Sequence, residues 1–106
     1  MGQPARPPIK SEFSDEPELL ELIGQFAAEM PRQARALEAA WTAGRRESLR
    51  ALAREISSAA GGYGFGIVGD TAAELEERLA EDEATTDELR GLVMSLVDLC
   101  QRVRAG

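Results

Sequence analysis

The apolar residues of this chain predict an all-α fold, an antiparallel up-down-up-down four-helix bundle with an N-terminal extension. Three observations predict it. Apolar side chains recur at helical spacing through four separate stretches between Ser14 and Val103. The breaks between them are short, at Gly44, at the run Gly61-Gly62-Tyr63-Gly64-Phe65-Gly66, and at the acidic segment Glu81 to Thr86. Short connections make successive helices antiparallel neighbours. No stretch alternates long enough for a strand, and the β-like pair Ile67-Val68 is too short to form one. The 106 residues make one domain. Residues 1–13 read as a tail or extension, Pro-rich up to Pro8, and 14–106 as the bundle.

The first helix is expected to open at Ser14 or Asp15, with Pro17 near its first position and Glu16 and Glu18 at the positive end of its dipole. Its inward face reads Leu19, Leu22, Ile23, Phe26, Met30, Gln33, Ala34, Leu37, Ala40 and Trp41. The apolar phase does not slip at Pro31, which projects to the polar side. One long helix bent at Pro31 is therefore expected rather than two, closed by Gly44. The second helix runs from about Glu47 to Gly61 or Gly62, with Leu49, Leu52, Ala53, Ile56, Ala60 and Tyr63 inward. At about 100° per residue, Glu47, Arg50, Arg54, Ser58 and Gly61 fall on the opposite face.

The third helix is capped by Asp70 or Thr71, or starts earlier near Gly66. It turns Ala72, Leu75 and Leu79 inward and leaves Glu74, Glu76, Glu77 and Arg78 largely solvated. The fourth is capped by Thr86, with Asp87 and Glu88 in its first turn and Arg102 and Arg104 at its negative end. Its buried stripe reads Leu89, Leu92, Val93, Leu96, Cys100 and Val103.

Composition narrows the functions available. The net charge is −7 and the pI about 4.6, which disfavours nucleic acid and anionic membranes as partners. Cys100 is the sole cysteine, so no internal disulfide forms, and a buried thiol in a reducing compartment is expected. No run approaches the ~18 apolar residues of a membrane span and no signal peptide is visible, so a cytoplasmic location is expected. With no histidine, one cysteine and no calcium-loop spacing, no metal or other cofactor is expected. The glycine run lacks a preceding strand and a following Lys-Ser or Lys-Thr, so it is not read as a nucleotide loop.

The stretch Ala53-Arg54-Glu55-Ile56-Ser57-Ser58-Ala59-Ala60-Gly61-Gly62-Tyr63-Gly64-Phe65 resembles the signature of the histidine phosphotransfer domain family, Ala-His-x-Leu-Lys-Gly-x-x-Gly-x-x-Gly. The likeness extends over Leu22 to Arg32, Ala36-Leu37, Ala43-Gly44, Leu49 to Ala53 and Ala73 to Glu76, and Ile9 to Phe13 resembles an N-terminal extension of one subgroup. In that family the histidine carries a phosphoryl group between a sensor kinase and a receiver domain. The departures fall at the chemistry. Arg54 stands at the histidine position, Ser57 at that of a lysine that helps hold the phosphoryl group, and Ser58 at that of a glycine.

Phosphoryl carriage of this kind needs a neutral imidazole nitrogen. An arginine is cationic and offers no lone pair. No base is placed to activate the two serines, and Glu55, without any triad geometry, reads as solvated charge. The resemblance therefore implies a monomeric binding module without enzymatic activity, docking a receiver domain or sensor kinase. The docking face would be Glu47, Arg50, Arg54, Ser57, Ser58 and Gly61, with Arg54 facing the receiver's cluster of carboxylates. Two alternatives stand beside it: a structural or oligomerising bundle, and a phosphotransfer protein whose histidine was replaced. Three changes on one face fit natural degeneration.

Overall fold

The computed structural model describes residues 7–105; the Pro-rich tail assigned to the N-terminus lies mostly outside them. Four helices, α1 (Leu20–Thr42), α2 (Arg46–Ala60), α3 (Gly66–Ala80) and α4 (Thr86–Arg102), form the bundle. Each packs on the next, and α4 closes the ring against α1. Two short strands, β1 (Ile9–Lys10) and β2 (Val103–Arg104), pair in parallel, with Ile9 opposite Val103. The extension is thereby tied to the end of α4, where Arg102 Nε also donates to the Pro7 carbonyl at 3.0 Å.

Helix α1 passes through Pro31 without interruption. A proline inside a helix costs about 3 kcal/mol or more. Here Pro31 is exposed, while Met30 and Ala34 beside it are 2 % and 0 % accessible, so burial of the apolar stripe offsets the missing hydrogen bond. The helix ends in a Schellman motif: Arg45 N–H donates to Ala40 O and Gly44 N–H to Trp41 O, with Gly44 at φ +70. At its other end the expected cap at Ser14 or Asp15 does not form. Ser11 O and Phe13 O accept turn bonds from Ser14 and Glu16, a 3-10 turn follows over Pro17–Leu19, and α1 begins only at Leu20.

Two further boundaries shift. Helix α3 begins at Gly66, the earlier of the two starts considered, which turns Val68 into the core and Ile67 outward. The β-branched pair had read as strand-like, but helical phase governs it. Helix α4 is capped by Thr85 rather than Thr86. Thr85 has the extended backbone a cap needs, and its hydroxyl accepts from Glu88 N–H at 3.1 Å. Leu22, expected inward, is exposed. Val103 is buried as expected, but in β2 rather than at the end of the helix.

Scarce aromatics are concentrated at one end of the core. Phe26 stacks on Phe65 at 5.3 Å and meets Tyr63 at 5.6 Å, joining α1 to the glycine turn. That turn is where the extension docks. Ser11 is buried; its hydroxyl donates to Tyr63 O and accepts from Phe13 N–H, and Glu12 N–H donates to Gly64 O at 2.9 Å. Gly64 has φ +84, and a Cβ there would lie 2.4 Å from Ser11 Oγ. Ile9 to Phe13 thus lies ordered against the bundle.

Helices α2 and α3 approach closely at Gly69, whose missing Cβ faces Gly61 N and Ala60 Cβ at 3.4 and 3.5 Å. At the opposite end of the pair, Arg46 donates from Nε to Leu79 O and from Nη2 to Glu81 O, both at 3.0 Å. This places a cation on the carbonyl end of α3.

Replacing Gly64 by Ala should destabilise the fold by about 2–3 kcal/mol, from left-handed strain and the displaced Ser11 hydrogen bonds. Urea denaturation measures it, and an unchanged midpoint would show the extension to be uncoupled from the turn. Burial pushes the Cys100 thiol from 9.0 up to about 12. The folded thiol keeps its proton where the unfolded one loses it. Its contribution is therefore complete below pH 9 and is lost between about 9 and 12, at up to about 1.4 kcal/mol per pH unit. Comparing wild type with Cys100→Ala by urea denaturation at pH 8 to 10.5 should show that component absent from the variant.

Candidate functional site

Ala53 and Ile56 are 0 % and 1 % accessible and face the core, so the helical phase turns Arg54 outward. Arg54 is exposed, as are Glu47, Arg50, Ser58 and Gly61, while Ser57 is half-buried. A groove of about 510 Å³ between α2 and α3 brings together Glu47, Arg50, Arg54 and Ser58 with Ala51, Glu55 and Glu76. It leaves out Ser57 and Gly61. The Ser57 hydroxyl instead turns back on its own helix and donates to Arg54 O at 3.0 Å. A Cβ at Gly61 would meet nothing within 4 Å, so packing does not require a glycine there.

Sequence reasoning passed over Glu76 as solvated and Glu55 as a bystander. A signal for Glu76 exists. The missing Cβ of Gly69 on α3 faces the backbone at Gly61, just past the end of α2; seven residues back from Gly61 is Arg54, and seven forward from Gly69 is Glu76. Seven residues are about two turns, so Glu76 stays on the side of α3 turned toward α2 and reaches the groove that Arg54 also lines.

The α1 neighbours that sequence left unspecified line a second groove, of about 230 Å³, between α1 and α2. Leu22, Phe26, Gln33 and Tyr63 contribute to it, and Glu55 borders both grooves. The Gln33 Oε1 atom is buried without a hydrogen-bond partner.

The electrostatics of α2 run against those of the chain. Arg45, Arg46, Arg50 and Arg54 outnumber Glu47 and Glu55 at its start and along it, in a protein of net charge −7. Arg46 is engaged with the end of α3. The ion pairs among the described residues join Arg32, Arg78, Arg90 and Arg102 to carboxylates; none reaches Arg50 or Arg54. Like charges one turn apart oppose the helix by roughly 0.2–0.5 kcal/mol. Among the described residues no group of three or more His, Cys, Asp or Glu could hold a metal ion, and no helix is long and apolar enough to cross a membrane.

The four-helix bundle thus presents a polar row on its second helix, just ahead of a glycine turn. Residues 21–106 match the Hpt domain, and the chain belongs to that family. Hpt domains are phosphotransfer carriers in phosphorelay signalling and interact with receiver domains and kinases. No curated protein and no solved structure matches the chain.

If Arg54 is solvated and repelled by Arg50, Arg54→Gln should stabilise the isolated domain by about 0.2–0.5 kcal/mol. Urea denaturation at low salt checks this; a loss of stability would instead assign Arg54 a packing role.

Proposed function

We propose that this chain is a non-phosphorylatable Hpt-type binding module that docks a receiver domain through the α2 face. The observation that carries the reading is the pair Arg50 and Arg54, exposed and without ion pairs among the described residues, on the cationic helix of an acidic protein. Held together in the free domain, these cations repel each other; an anionic partner relieves that repulsion. By the signature the α2 stretch resembles, Arg54 stands at the family's histidine, and on this reading it is the side chain presented to a receiver's phosphoacceptor pocket. That pocket is a cluster of carboxylates, and a guanidinium fork forms paired, charge-assisted hydrogen bonds with such groups. The exposed Leu22 and the α1–α2 groove beside it supply apolar surface next to the charged row.

Occupying the receiver's pocket without offering a nucleophile blocks relay through that receiver. The module therefore competes with active carriers. Docking leaves the chain unphosphorylated, because no histidine exists anywhere in it.

Arg54→Ala should weaken binding to a receiver domain by about 1–3 kcal/mol, the range for hydrogen bonds to charged groups. Calorimetric titration against the receivers of the source organism measures it. An unchanged dissociation constant would remove Arg54 from the interface, and a stable dimer through the α2 face, seen by light scattering, would leave no room for a receiver.

A further inference from the structure

We infer that Arg50, Arg54 and Ser58 form a receptor for a phosphoryl group, so that the module favours the phosphorylated form of its receiver. The inference rests on the receiver-docking reading above. The three residues stand at successive four-residue steps on α2 and line one groove. Each step rises about 6 Å, a gap that two arginine side chains close around one tetrahedral group. Side chains lean toward the N-terminus of a helix, which lays the Ser58 hydroxyl over the turn carrying Arg54.

Ligand chemistry separates two anions. A carboxylate has two oxygens and about one charge, and a single guanidinium fork engages both oxygens and balances that charge. Arg50 would then stay unmatched. A phosphoryl group offers three terminal oxygens and a charge of about −1.5 to −2, enough for both forks and a hydroxyl. The two serines also divide by role. Ser57 spends its hydroxyl on the Arg54 carbonyl, whereas Ser58 is exposed and makes no hydrogen bond among the described residues. Glu76 lies on the far wall of the groove and opposes any anion there, so its charge is a second handle on the site.

The full chain, labelled for arginine Nε–H detection by NMR, is titrated with acetyl phosphate and with acetate at matched ionic strength. These probes stand for a phosphorylated and an unmodified aspartate. Arg50 and Arg54 should shift together with acetyl phosphate, at least tenfold more tightly than with acetate. Arg50→Ala should weaken acetyl phosphate binding about tenfold, and Glu76→Gln should tighten it severalfold. Equal response to both probes, or no effect of Arg50→Ala, overturns the inference.

A second arm titrates receiver domains with and without beryllofluoride, which mimics the phosphoryl group. At least tenfold tighter binding of the beryllofluoride form, abolished in Arg50→Ala, supports the inference. Equal binding of both forms overturns it and leaves receiver docking intact. Binding of acetyl phosphate in the first arm together with failure of every receiver domain, with or without beryllofluoride, to bind in the second overturns receiver docking and this inference with it, since no receiver state is then distinguished.

Discussion

The phase of α2 decides what this protein presents to its surroundings. Ala53 and Ile56 are sealed in the core, and Arg54 between them is thereby held in solvent. Rotating the helix to hide Arg54 would expose Leu49, Ala53, Ile56 and Ala60 together, at roughly 1.5–3 kcal/mol for each large apolar side chain. Burying an unpaired guanidinium would add several kcal/mol more. No local rearrangement offsets that sum, so the bundle displays Arg54, a permanent cation, to solvent.

The rest of the fold supports that display. Gly69 lets α3 come close to the end of α2, and Arg46 holds the start of α2 to the end of α3. The groove carrying Arg50, Arg54 and Ser58 lies between those two fastenings. The N-terminal extension braces the exit of α2 through Ser11 and Gly64, and pairs with the strand that follows α4. The face therefore sits on rigid elements at both ends, which limits the entropy lost when a partner docks.

The four helices, the continuity of α1 through Pro31 and the outward aim of Arg54 were legible in the sequence, because each follows from apolar spacing. Boundaries were less so. Adjacent Thr85 and Thr86 are equivalent as letters, and only the bond to Glu88 N–H distinguishes the cap. The first helix starts late because Ser11 and Phe13 organise turns across Ser14 to Glu16, a tertiary effect of docking on Gly64. Within the site, the row Glu47, Arg50, Arg54, Ser58 was readable from helical phase alone. Glu76 required the close approach of Gly69 to the end of α2, and the exposure of Leu22 depended on how α1 packs in the bundle. Ser57 left the groove through a hydrogen bond that spacing does not reveal.

The proposed role requires that the α2 face dock a receiver and accept no phosphorus. The direct measurement is to incubate the purified chain with a receiver domain carrying radiolabelled phosphate, delivered by its sensor kinase, and then to separate the proteins under conditions that preserve phosphoramidates. The account predicts a complex with the receiver and no label fixed to this chain, even after long incubation. Covalently bound label on the wild-type chain would contradict it.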